Sequence, residues 1–351
     1  MLQFMDALEY GDELIFLNSN DVHIFAANIE DKKIRYAGGI AANWMKSPMR
    51  KIFMYNNELY MISYAGLIIY KCTENHGYFE GSVIYHDDSK NDMRVIAAFL
   101  NEDKIYNVPY STKQDILCYD IAKNKIVKQL RVNSCSEIES DAIISDAHLY
   151  EGNIFFSIKN NHVLYKVDIG LDNISNYINA SFDIGGFNIV KDDIWLRQAN
   201  GYSVEKINKN GERCLYPKES CLQIDNEEIN GKIKYVDGRV MMLPGTSNTI
   251  GLFDNNMNVK TIDLAIEFQW DETNAIPTFS LGGMQIGEDY LIFPWKYNGV
   301  IKINTKNNTC SVLDIDYEGD IKSDYQQMIL ENYRVIHESP EIELSFFIKN
   351  I

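Results

Sequence analysis

Basic residues are scarce. Against 50 Asp and Glu stand 33 Lys and Arg, which sets the formal net charge at −17 and the pI near 4.8. No run of Lys or Arg interrupts this excess, and no basic stripe alternates with aromatics, so most of the surface repels a phosphate backbone or an anionic bilayer. Nucleic acid and membrane are therefore not expected partners. Cysteine is sparse as well. Cys72, Cys118, Cys135, Cys214, Cys221 and Cys310 are scattered without CxxC spacing, which argues for reduced thiols over a disulfide frame or a zinc ribbon. Met1-Leu2-Gln3-Phe4-Met5-Asp6 lacks the cationic and apolar segments of a secretory signal, and no window approaches 18 uninterrupted apolar residues, so a cytoplasmic location is expected.

Catalytic patterns are missing too. His23, His76, His86, His148, His162 and His337 show no metal-ligand spacing, no Ser-His-Asp set declares itself, and no glycine-rich phosphate loop links a strand to a helix. Asp314-Ile315-Asp316-Tyr317-Glu318-Gly319-Asp320 spaces its oxygens as a calcium loop does. Yet Tyr325 stands where the bidentate Glu belongs. No catalytic residue, metal or cofactor is assigned.

What is present is a repeat. Apolar residues make up 46% and aromatics 12%, with 22 Tyr and 16 Phe, so 351 residues hold ample material for a core. Length alone leaves one domain or two open. A strand, a tight polar turn and an apolar strand return seven times, as in Tyr10-Gly11-Asp12-Glu13-Leu14-Ile15-Phe16 and Tyr150-Glu151-Gly152-Asn153-Ile154-Phe155-Phe156. The anchors Leu14, Leu59, Ile105, Ile154, Ile194, Val240 and Leu291 recur every 40 to 51 residues. Gly, Asn and Asp occupy the turns because they accept positive φ. A third strand and a second hairpin follow, as in Ile116-Leu117-Cys118-Tyr119-Asp120 and Val163-Leu164-Tyr165-Lys166-Val167-Asp168, and a fourth strand closes each unit.

Four short strands per repeat, seven times over, predict an all-β, seven-bladed β-propeller with four-stranded antiparallel blades over residues 1–318. A β-sandwich also spaces strands evenly but does not repeat a four-strand unit. The chain resembles bacterial β-propeller repeat proteins of the WD40-like and kelch-like kind, in architecture and without their short signatures. Residues 319–351 are predicted to form a short helical tail, with Ser339-Pro340 as its start and Leu344, Phe347, Ile348 and Ile351 on one face. That tail is expected to dock on the propeller or on a partner, or to add a final strand.

The long irregular loops between blades, and between second and third strands, form the expected binding face, because functional groups concentrate on loops held by a rigid scaffold. Trp44, Arg50, Arg94, Tyr110, Arg197, Trp270, Trp295 and Tyr297 are the candidate ligand-binding residues there. Trp44 and Trp270 equally suit a role as plugs between blades. Ser145, Gly185, Gly231 and Gly282 align at one inner-strand position where Met5, Arg50 and Ile96 stand in the first three units. Either tight packing or an asymmetric pocket crossed by Arg50 accounts for that difference. A non-catalytic recognition or scaffold protein binding a peptide, protein or small polar ligand fits these features. The alternative is an enzyme acting on carbohydrate or another small polar substrate, using carboxylates such as Glu137, Glu139, Asp141, Glu227 and Glu228.

Overall fold

The computed structural model describes residues 4–18, 22–28, 30, 33–40, 49–199, 201, 203–216, 233–236, 238–243, 249–263, 282–293, 300–313 and 316–317. Among these, the strands form seven antiparallel units of four, each laid down in chain order from an inner to an outer strand. Blade 1 is β1 (Phe4–Tyr10), β2 (Glu13–Asn18), β3 (Ile24–Asn28) and β4 (Lys33–Ile40), and blade 2 is β5 (Met49–Tyr55), β6 (Glu58–Ser63), β7 (Leu67–Asn75) and β8 (Tyr78–Asp87). Blade 3 is β9 (Val95–Asn101), β10 (Lys104–Pro109), β11 (Asp115–Asp120) and β12 (Lys125–Arg131), and blade 4 is β13 (Ile144–Tyr150), β14 (Asn153–Ile158), β15 (Val163–Asp168) and β16 (Ile174–Asn179). Blade 5 is β17 (Ile184–Val190), β18 (Asp193–Gln198), β19 (Val204–Ile207) and β20 (Arg213–Tyr216). Blade 6 is β21 (Ile233–Val236), β22 (Arg239–Met242), β23 (Thr249–Phe253) and β24 (Val259–Asp263), and blade 7 is β25 (Gly282–Ile286), β26 (Asp289–Phe293), β27 (Val300–Asn304) and β28 (Thr309–Leu313). A two-residue strand, β29 (Asp316–Tyr317), follows. No α-helix occurs among the described residues, and the predicted helical tail, 319–351, lies outside them.

The second strands explain the stacking. β2, β6, β10 and β14 are buried from their second residue to their last, whereas alternate burial would mark a sheet with one wet face. Both faces of each blade are therefore apolar and meet a neighbour. Ile15, Leu17, Met61 and Tyr70 share one cluster between blades 1 and 2, and Phe155, Phe187 and Leu196 share another between blades 4 and 5. Phe4 and Phe16 pack edge-on against Phe293, with ring centroids 6.4 and 5.5 Å apart, and so join blade 7 to blade 1. The outer strands face solvent and carry the charge, as in Lys125-Ile126-Val127-Lys128-Gln129-Leu130-Arg131.

Turn chemistry sets the hairpins. The first turn of each blade holds positive φ, at Gly11, at Asn56 and Asn57, and at Lys191 and Asp192. An Asn or Asp ends the third strand or directly follows it in each blade, and in five of them its side chain accepts a backbone N–H two or three residues on. Asn28, Asp120, Asn208, Asp254 and Asn304 all do so, at 2.8–3.0 Å.

One rim contact departs from the pattern. β4 pairs in parallel with β8, Gly38 opposite Phe79 and Gly39 opposite Glu80, and so fuses the outer strands of blades 1 and 2 into one sheet. Gly38 has φ +124°, and a Cβ there would lie 2.0 Å from the Phe79 carbonyl oxygen. β29 pairs with the other end of β4, so the outer edge of blade 1 is held at both ends.

Gly38→Ala is expected to cost about 2–4 kcal/mol by combining forbidden φ with a backbone clash, while Gly11→Ala, which meets nothing within 4 Å, costs about 1 kcal/mol. Denaturant midpoints of the two variants test this order. Burial pushes the phenols of Tyr60, Tyr70 and Tyr119 up to about 12. The fold favours their neutral forms, so this contribution is whole below pH 10 and is lost as pH rises towards 12. The Tyr70 hydroxyl is buried without a partner among the described residues. Tyr70→Phe is therefore expected to be as stable as the native chain at neutral pH and to lose less stability between pH 10 and 12, as read by melting temperature.

Candidate ligand-binding face

Inner strands begin, and second strands end, at one end of the propeller, here termed the loop face. At that end five inner strands carry a bulge, which displaces Met5, Arg50, Ile96, Ser145 and Gly185 out of register. These are residues the hairpin alignment singles out, bulky in blades 1 to 3 and small in blades 4 and 5. Gly282 is different. It pairs directly with Phe293, without a bulge, because the turn of blade 7 sets the strand one residue off that alignment. Gly231 lies outside the described residues.

A bulge leaves main-chain groups unpaired at the axis, and they need other partners. The Arg50 guanidinium donates to the Ile96 carbonyl through Nε at 2.7 Å and through Nη2, and its Nη1 lies 3.7 Å from the Met5 sulfur. Arg50 thus bridges the bulges of blades 1 and 3. Of the two readings of this inner-strand position, packing or a pocket crossed by Arg50, this engagement fits packing. Its pKa is lowered by burial, an effect offset in part by Tyr64, Asp6 and Asp146.

Two aspartates follow the bulges and do equivalent work. Asp6 accepts the Ile52 N–H of blade 2 at 3.0 Å and the Lys51 ammonium at 2.8 Å. Asp146 accepts the Phe187 N–H of blade 5 at 3.3 Å, its own neighbour Ala147 N–H at 3.0 Å, and pairs with His148 at 3.2 Å. Each carboxylate staples its blade to the next. Lys234 of blade 6 feels both, although burial dominates and lowers its pKa. Nothing in the residue types alone distinguishes these aspartates from surface ones. Their signal is position, one residue past the bulge.

The loops at this end lock together in blades 2 to 4. The Tyr64 carbonyl accepts the Val95 N–H at 2.7 Å, and the Tyr110 carbonyl accepts the Ile144 N–H at 2.8 Å. Tyr110 also donates its N–H to the Arg94 carbonyl at 2.6 Å, which fixes the two residues side by side. Arg94 is exposed and Tyr110 half-buried, and no described residue pairs with the Arg94 guanidinium. Arg197, near the end of β18, is wholly buried, and its Nε, Nη1 and Nη2 have no hydrogen-bond partner among the described residues. Burial alone pulls its pKa down to about 9.

The structure therefore groups Arg50, Arg94 and Tyr110 on blades 2 and 3 and sets Arg197 apart on blade 5. Trp44, Trp270, Trp295 and Tyr297 lie outside the described residues, as do Glu227 and Glu228. Glu137, Glu139 and Asp141 are exposed; Glu137 accepts from Asn176, and Asp141 pairs with Lys113 at 2.6 Å. Among the described residues no cluster suits a metal ion, and the five described cysteines are free thiols.

Asp6→Ala is expected to lower stability by about 1–3 kcal/mol by orphaning the Ile52 N–H, with Asp12→Ala in the exposed turn near zero. Chemical denaturation of both variants checks the difference.

No protein-family model matches the chain, and no curated protein matches it. Among solved structures it is similar to a catalytically inactive virginiamycin B lyase from Staphylococcus aureus with quinupristin, at 13% identity over 84% of this chain and 92% of that one, with a TM-score of 0.62. It is also similar to a chain of the mitotic checkpoint complex, at 9% identity over 83% of each chain and a TM-score of 0.56. YCF48 bound to D1 peptide aligns at 10% identity over 76% of this chain and 81% of that one, with a TM-score of 0.51. Likeness at such identities is likeness of fold. The chain is a β-propeller.

Proposed function

We propose that this propeller is a non-catalytic recognition or scaffold protein that receives a peptide or protein, or a small polar ligand, on its loop face. The observation that carries this reading is Arg94, an exposed residue bonded through its main chain to Tyr110, whose guanidinium has no partner among the described residues of a chain with net charge −17. A guanidinium offers a planar fork to a carboxylate, and a neighbouring phenol adds rigid contact area. On an otherwise acidic surface such a patch selects acidic partners and orients their approach. YCF48, a propeller of similar fold, is bound to a peptide. Two buried inner-strand carboxylates, Asp6 and Asp146, are engaged as inter-blade acceptors, which favours recognition over hydrolysis.

Selection of displayed random peptides on the immobilised full chain tests the reading, and acidic peptides are expected to be enriched. For the best binder, Arg94→Glu is expected to weaken binding about tenfold or more, the loss of one charge-assisted contact of ~1.5–3 kcal/mol. Lys125→Glu, on an exposed hairpin at the opposite end, leaves it unchanged. Equal effects of the two substitutions, or none from Arg94→Glu, would overturn the loop-face assignment.

A further inference from the structure

Arg197 occupies a position that other blades fill without charge. Five second-strand residues stand opposite the residue that follows an inner-strand bulge: Leu17 opposite Asp6, Ile62 opposite Lys51, Val108 opposite Ala97, Ser157 opposite Asp146, and Arg197 opposite Gly186. All five second-strand residues are fully buried. Directly opposed residues share a face of the sheet, so each pair looks the same way, towards the next blade. Trp195, two residues before Arg197, confirms that direction by packing with Ile233, Met242 and Phe253 of blade 6.

In blades 1 and 4 the inner-strand member of this pair is the aspartate that staples the next blade. Blade 5 has Gly186 there and brings no carboxylate. Across from it stands a guanidinium whose three nitrogens have no partner among the described residues. Burying an unpaired cation costs several kcal/mol, and the four equivalent residues show that the fold itself does not require one. A buried guanidinium matches a carboxylate in shape, charge and hydrogen-bond count.

We infer that Arg197 is the anchor of a carboxylate-binding site between blades 5 and 6, in which a ligand's carboxylate takes the place that Asp6 and Asp146 hold in their own blades. The inference rests on the loop-face reading for the origin of the ligand, since Arg197 lies at that end of the propeller. The site is closed to solvent around the guanidinium, so binding requires local parting of the two blades and exchanges slowly. A Lys in place of Arg197 keeps the charge but loses the fork.

The experiment uses the full chain with sodium acetate as probe and sodium phosphate as comparison, each titrated at neutral pH and constant ionic strength. Melting temperature and the ¹H–¹⁵N resonance of Arg197 Nε are followed together. The native chain is expected to melt higher with acetate and to show a saturable shift of that resonance, with a weaker response to phosphate. Arg197→Leu is expected to melt no lower than the native chain and to lose the acetate response. Gly186→Asp, which restores the carboxylate from within, is expected to raise the melting temperature and abolish the response. A native resonance that acetate does not move, a response to phosphate alone, or an Arg197→Leu variant that melts well below the native chain overturns the assignment. Peptide binding that persists without an acetate response sinks this site alone, while an acetate response without peptide binding sinks the loop-face reading alone.

Discussion

No blade of this protein is stable by itself, because each is apolar on both faces. A four-stranded sheet with one wet face reads as alternating polar and apolar residues, but the second strands here are buried along nearly their whole length. Each sheet therefore needs a neighbour on either side, and the stack ends only when its last member meets its first. Phe4, Phe16 and Phe293 make that meeting. Every other feature follows from this closure: inner strands crowd at the axis, outer strands carry the solvent-facing charge, and loops are displayed at the two ends.

Crowding at the axis creates the second constraint. Inner strands converge with one edge unpaired, and their bulges add main-chain groups that no ladder satisfies. The blades answer locally and differently. Arg50 serves the Ile96 carbonyl, Asp6 and Asp146 serve the N–H groups of following blades, and Ser145 pairs with Ser157 at 2.9 Å. A charged group at the axis is in this sense first a structural part. It is available for a ligand only where its own partner is lacking, and that separates Arg50 from Arg94 and Arg197.

What could be read in the sequence was whatever acts over a few residues. Turn residues with positive φ and apolar second strands, such as Leu14-Ile15-Phe16, mark the repeat because local sterics and burial demand those residue types. The Asn or Asp that ends a third strand belongs to the same class, although its role as acceptor emerges only from the hydrogen bonds. Partnerships across blades were not legible. The parallel join at Gly38 and Phe79, about forty residues apart, has no periodicity to betray it. Asp6 and Asp146 look like surface carboxylates until the bulge preceding each is known. The alignment of Gly282 with Gly185 failed for a related reason, since a shift of one residue in a strand leaves the hydrophobic count intact while moving the side chain to the other face.

Arg94 and Arg197 stand alike in the sequence as candidate ligand-binding residues of the loop face, and the structure gives them opposite physical characters. Arg94 is exposed to water, where the pull of its charge on an acidic group is long in reach but screened by salt. Arg197 sits in a low-dielectric seam, where the same charge is unscreened and costly to hold alone. The two cations stand on different blades, one in water and one in a seam, and differ in what surrounds the same charge. Blade 5 lacks the aspartate that blades 1 and 4 possess, so the asymmetry of the ring, more than its repetition, leaves Arg197 without a partner among the described residues.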